Sequence, residues 1–291
     1  MSDSTSAILR WGRLTEWSCV VATGPDAGRF LQSFCTNDVL RLAEGESCEA
    51  FFTDVKGRVL AYGWVGRTGE ERYAVLLLSD GAADLSSHLD RYLIREKVEL
   101  STIHPTAGSA CWASSREALL ADDAGGFVLP TAALGEGSAA LVHASASTPL
   151  SLQGEELDAA AFDALRIECG APRDRQDFDE RSLPQETQRD AVAISFTKGC
   201  YLGQEPVARI DALGQVNRLL VGVRFSGPAE PPVGSDLAAK GQTVGTLTSA
   251  CYSEKLAAPI GLATVRRAQS AAGTELDCDG LRATVCPLPF V

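Results

Sequence analysis

The chain has 291 residues, a formal net charge of −12, and 45% apolar against 22% charged residues. That is ordinary globular composition in a chain too long for one small core, so two or three lobes are expected and general disorder is not. The acidic balance, with no Lys/Arg-rich block to offset it, disfavours nucleic acid as a partner.

The longest clean apolar run, "YAVLLL" at 73–78, is far shorter than the roughly 20 residues that a membrane span needs. The start, "MSDSTSAILRW", has no basic stretch followed by an apolar one and does not read as a secretion signal. No membrane association is expected, and the expected location is cytoplasmic. Nine cysteines stand at 19, 35, 48, 111, 169, 200, 251, 278 and 286, an odd count with no C-x-x-C pair. A disulfide framework or zinc ribbon is not supported. His88, His104 and His143 form no H-x-x-x-H pair, so no metal site is expected.

In chain order, "EWSCVVATG" (16–24) reads as a strand and "PDAGRFLQSF" (25–34) as a helix with Pro25 in its first turn. "SCEAFFTD" and "RVLAYGWVG" are β-rich runs split by "VKG", a hairpin signal, and "ERYAVLLL" is a third strand. "SDGAADLSSHLDRYLI" places Leu85, Leu89, Tyr92 and Leu93 at helical spacing behind Ser79 or Asp80 as cap, and "EKVELSTI" returns as a strand. The β-α-β-β-β-α-β order predicts a ferredoxin-like α+β lobe over 1–107. Short strands and turns follow to about 150. "GEELDAAAFDALRIECG" (154–170) predicts a helix stopped by Gly170 and Pro172, and 171–197 reads as loop. A second α+β lobe is therefore expected over 108–215. The runs "RLLVGVRF", "QTVGTLTS", "IGLATV" and "RATVCPL" predict a small β-barrel or sandwich over 216–291.

"GEGSAA" (135–140) imitates a dinucleotide fingerprint but lacks the strand–turn–helix setting, so a structural role is expected. "KGCYLGQE" (198–205) is different. Cys200 stands two residues after Lys198 and shortly before a helix predicted near Gln204, with Pro206 in its first turn. A cation and a helix N-terminus both favour a thiolate. From the residues alone, a reactive thiol and a small residue buried in a turn are both open. Trp17 and Phe162 read as core aromatics. Glu168, between apolar neighbours near a helix end, needs a donor from the protein or from a ligand.

"KGCYLGQE" resembles the signature of the YgfZ family of folate-binding proteins, which includes mitochondrial iron–sulfur assembly factors. "GPDAGRFLQSFCTNDV" (24–39), "DVKGRVLA" (54–61), "RIECGAP" (166–172), "LPQE" (183–186), "VGTLTS" (244–249) and "LPF" (288–290) are similar in order and spacing. The family is related to the glycine cleavage T-protein, an aminomethyltransferase. The resemblance implies an α+β, T-protein-like three-lobed fold around a central channel for tetrahydrofolate or a polyglutamated derivative, with a C-terminal β-barrel-like domain.

It also implies folate contacts from Trp17, Phe162, Glu168, Tyr201, Gln204, Glu205 and Arg209, with Cys200 and Lys198 as the reactive pair. Phe162 departs from a family tryptophan. In the T-protein an acidic pair assists aminomethyl transfer, but "KGRVLAY" carries Leu60 and Ala61 there, so glycine cleavage is not expected. The implied function is a monomeric folate-binding accessory protein with iron–sulfur client or assembly proteins as partners. A folate-dependent one-carbon transferase and a non-catalytic scaffold are the alternatives.

Overall fold

A computed structural model describes residues 9–121, 126–145, 152–214 and 216–290. The first strand, β1 (Arg10–Arg13), falls within the predicted first lobe but pairs outside it. That lobe then follows as β2 (Ser18–Thr23), α1 (Ala27–Gln32), β3 (Ser47–Thr53), β4 (Val59–Gly69), β5 (Arg72–Leu77), α2 (Ala82–Asp90) and β6 (Glu99–Ile103). Its five strands lie in the order β3-β4-β5-β2-β6. The run at 73–78 is a strand covered on both faces. Ala74 and Leu76 enter one core and Val75 and Leu77 another, the period-2 alternation of a pleated strand.

The second sheet comprises β7 (Ser109–Ala113), β8 (Phe127–Pro130), β9 (Ala139–His143) and β10 (Glu155–Leu157), with α3 (Arg116–Ala121) and α4 (Ala159–Glu168) beside it. Its order is β10-β1-β7-β9-β8. The lobes are thus not the contiguous stretches 1–107 and 108–215. β1 joins the second sheet, pairing antiparallel with β7 and parallel with β10. The predicted helix over 154–170 begins later for the same reason. Glu155–Leu157 pairs with β1, and Asp158 then caps α4 by accepting from the Ala161 amide at 2.8 Å. The two sheets pack face to face over one core that holds Trp17, Trp64, Trp112 and Phe162.

After α4 the chain runs through α5 (Asp190–Ala193) and α6 (Gln204–Leu213) back along the first lobe. It then enters β11 (Arg218–Phe225), β12 (Asp236–Ala239), β13 (Gln242–Ser253), β14 (Ala258–Arg266), β15 (Glu275–Cys278) and β16 (Leu281–Cys286). These six strands close into a barrel, β11-β14-β13-β12-β15-β16. β12 and β15 lie outside the four runs expected from sequence. Each is four residues long and half exposed, so its apolar content is too low to stand out, yet their pairing helps close the barrel.

Arg166 on α4 joins the lobes. Its guanidinium is fully buried and donates to Asp177 at 2.9 Å, Ser249 Oγ at 2.8 Å and the Ala171 carbonyl at 3.3 Å. Asp177 in turn accepts from Ser249 and Thr248 on β13. Arg166 Nε also pairs with Asp163 at 2.5 Å, so removing Asp177 leaves one side of the guanidinium and the Thr248 and Ser249 hydroxyls without their acceptor. Asp177→Ala is expected to lower stability by about 3 kcal/mol, measured by urea denaturation. A loss no greater than that of an exposed Asp→Ala control would show that the network is not carrying the joint.

Candidate functional site

The loop that carries Cys200 is pinned against the first lobe. Gly203 has φ +82°, and a Cβ there would lie 2.4 Å from the Asp54 carbonyl oxygen, so the "LGQ" turn requires glycine. The Leu202 amide donates to the Ser33 carbonyl at 2.9 Å, and the Leu202 carbonyl accepts from Thr53 Oγ1 at 2.7 Å. α6 starts one residue later. Cys200 is exposed, whereas the other eight cysteines are buried or half-buried. Tyr201 packs inward beneath Lys198, whose Nζ lies 5.2 Å from its ring centre. Gln204 is half-buried, and Glu205 and Arg209 are exposed on α6.

Lys198, expected from sequence as the cation beside Cys200, is engaged elsewhere. Its side chain is buried, and Nζ donates to the carbonyls of Gln32 at 2.7 Å, Cys35 at 2.6 Å and Asn37 at 2.8 Å. An ammonium has three protons, and three acceptors meet them. One acceptor, Gln32, ends α1, where the last carbonyls of a helix lack partners and its dipole favours a cation, and Cys35 and Asn37 follow in the turn beyond it. Burial lowers the Lys198 pKa, with the charge of Cys35 opposing. The thiol nearest the ammonium is Cys35, at 3.9 Å. Burial raises the Cys35 pKa although Lys198 pulls it back. Sequence reading passed over Cys35; the available signal was the short polar "CTND" run directly after a helix.

All three lobes meet at a cavity of about 480 Å³. Its walls include Cys48 and Glu49 from β3, Trp64 from β4, Glu136 from the loop before β9, Cys169 after α4, Arg189, and Pro289 from the tail. Arg189 grips Glu49 with two hydrogen bonds, Nε to Oε2 at 2.9 Å and Nη2 to Oε1 at 2.5 Å. Tyr62 also donates to Glu49. Burial, with the Glu49 carboxylate beside it, pushes the Tyr62 pKa well above its ordinary value and keeps the phenol a donor. The Trp64 indole Nε1 is buried and has no acceptor. Gly135 and Glu136, from the "GEGSAA" stretch that imitates a dinucleotide fingerprint, also border this cavity.

Of the residues expected at the pterin, Trp17 and Phe162 share the core between the sheets and Glu168 stands apart. Trp17 is 2% exposed and sits in the core between the sheets, because the face of the first sheet that it extends is covered by the second. Phe162 packs on Trp112, with ring centres 6.0 Å apart, and borders a separate 280 Å³ pocket with Glu16 and Arg173. Glu168 accepts from Ser253 Oγ and borders a 390 Å³ cleft between α4 and β13, while the next residue, Cys169, reaches the central cavity. Glu49, Trp64 and Arg189, which do share that cavity, lie 140 positions apart at the extremes and carry no local motif. Among the described residues, no group of three or more His, Cys, Asp and Glu side chains is placed to hold a metal ion. No helix among them is long and apolar enough to cross a membrane.

Residues 218–291 match the glycine cleavage T-protein C-terminal barrel domain family. Over 251 residues the chain is 30% identical to the tRNA-modifying protein YgfZ of Yersinia enterocolitica, covering 77% of this chain and 73% of that protein. The chain belongs to the YgfZ family. This YgfZ-family chain is also 29% identical to the human mitochondrial iron–sulfur cluster assembly factor IBA57, covering 85% of the chain and 79% of the relative. The glycine cleavage aminomethyltransferase T of Bartonella henselae superposes over 98% of the chain and 87% of its own length, with a TM-score of 0.85 at 18% identity. The fold is therefore T-protein-like.

Within this YgfZ-family fold the thiols differ sharply. Burial pushes Cys19 and Cys251 up to about 12 and raises Cys35, Cys48, Cys169, Cys278 and Cys286. A thiol that is both buried and held protonated reacts slowly. Iodoacetamide at pH 7, read by peptide mass spectrometry, is expected to modify Cys200 before any other cysteine. A different first-labelled residue would remove Cys200 as the accessible thiol.

Proposed function

We propose that this YgfZ-family protein binds a reduced folate in the central cavity and serves iron–sulfur cluster assembly or repair, with Cys200 as its working thiol. The carrying observation is the cavity at the junction of the three lobes, walled by Trp64 and by the Glu49–Arg189 pair. Its 480 Å³ suits a ligand of this size, since small-molecule sites run from roughly 300 to 1,000 Å³. Trp64 offers an aromatic wall for a pteridine ring. Arg189 uses Nε and Nη2 on Glu49, so what the pair can offer a glutamyl carboxylate is the remaining guanidinium N–H groups. These residues fit a folate. Bound there, a reduced folate supplies an electron-rich pteridine able to carry a one-carbon unit.

The iron–sulfur half of the reading rests on the similarity to assembly factors and on an exposed cysteine in the family's signature. Iron–sulfur client or assembly proteins are favoured over tRNA as direct partners because a net charge of −12 repels a phosphate backbone. A cytosolic setting suits nine free thiols. The one-carbon transferase alternative meets Leu60 and Ala61 on β4, where neither side chain can move a proton.

Titration with tetrahydrofolate is expected to quench tryptophan fluorescence, and Trp64→Phe to remove most of that response while Trp112→Phe retains it. Calorimetry showing no heat at near-millimolar folate would overturn the folate reading. Cys200→Ala is expected to fail in complementing a strain that lacks its own family member; full complementation would leave a scaffold.

A further inference from the structure

Residues 194–203 contain no helix or strand, so no backbone ladder fixes the position of Cys200. Instead, side chains and single hydrogen bonds tie the strap from Arg189 to Leu202 onto the first lobe. Asn37 Nδ2 donates to the Val192 carbonyl at 2.8 Å. Thr36 Oγ1 donates to the Ala193 carbonyl at 2.6 Å, and the Ser195 amide donates to the Thr36 carbonyl at 2.9 Å. Lys198 makes its three bonds to 32–37, and Leu202 closes the series on Ser33 and Thr53. Every hydrogen-bonded tie described after Arg189 falls on 32–37 or on Thr53, while Ala193 and Ile194 pack on Phe51, Val59 and Tyr62.

Lys198 is the charged tie, and it stands two residues from Cys200 across Gly199, which has open space around it. Glycine gives that link little stiffness of its own. All three ammonium protons are committed to carbonyls, and charge-assisted bonds of this kind are the strong ones. We propose that Lys198 is a positioning residue for Cys200: its ammonium pins the strap to the turn after α1 and so sets where the thiol stands, without supplying the charge that ionises it. This rests on the reading of Cys200 as the working thiol.

The test measures iodoacetamide modification of Cys200 across pH, together with amide hydrogen exchange, in the full chain and in Lys198→Met. The midpoint of the Cys200 pH profile is expected to stay in place while the high-pH plateau rate changes about threefold or more. Exchange at the Ser195 and Leu202 amides should rise about tenfold, the scale of losing a buried charge-assisted tie. A midpoint that moves up by about a unit would overturn the proposal in favour of a charge partner. A fall in Tm with plateau and local exchange unchanged would overturn it in favour of a purely structural lysine. If Lys198→Met does not fold, Thr36→Val removes a neighbouring tie without altering charge. It should reproduce the plateau and exchange changes, and their absence would overturn the proposal. Complementation by Cys200→Ala tests the thiol reading separately, because the labelling and exchange results do not depend on it.

Discussion

A buried ammonium must be met by acceptors, and the turn after α1 meets the one on Lys198 with three carbonyls. Much of the site's geometry follows from this. The helix end and the turn beyond it would otherwise leave those carbonyls short of donors, and the lysine would be too costly to bury. Each solves the other's problem, and the chain returning from the second sheet is thereby fastened to the first. The irregular stretch between α5 and α6 can then carry an exposed thiol on a defined path.

The central cavity arises from a related constraint. The two sheets share one core, and the barrel is locked to α4 through the buried Arg166–Asp177 pair. Three rigid bodies fastened at their flanks leave a gap where their ends converge, and side chains from each line it. The gap is not simply apolar. Glu49 is neutralised by Arg189 and Tyr62, which lets a carboxylate stand in the wall without open charge. The strap begins at Arg189 on that wall and ends near Cys200, so cavity and thiol belong to one continuous segment.

Burial explains why the nine cysteines are not equivalent. Seven have their pKa raised chiefly by burial, whereas Cys200 stands in the open at the end of the strap. Its distinction is accessibility, on an irregular stretch that ends at the Gly203 turn. Trp17 illustrates the opposite outcome. An aromatic that resembles a ligand contact in sequence is covered once the second sheet packs on the first.

The order of strands and helices in the first lobe was legible in the sequence, because period-2 and period-3.6 patterns and Gly/Pro breaks are local. So were the helix beginning near Gln204 and the family signature around Cys200. Tertiary structure alone decided the rest. It placed β1 in the second sheet, closed the barrel through the short β12 and β15, and turned Lys198 toward 32–37. It also gathered Glu49, Trp64 and Arg189 around one cavity, buried Trp17 and Phe162 in the core between the sheets and left Glu168 at a cleft between α4 and β13. The reason is physical: periodicity and turn chemistry act over a few residues, whereas the direction of a buried side chain is set by acceptors and surfaces contributed from more than a hundred positions away.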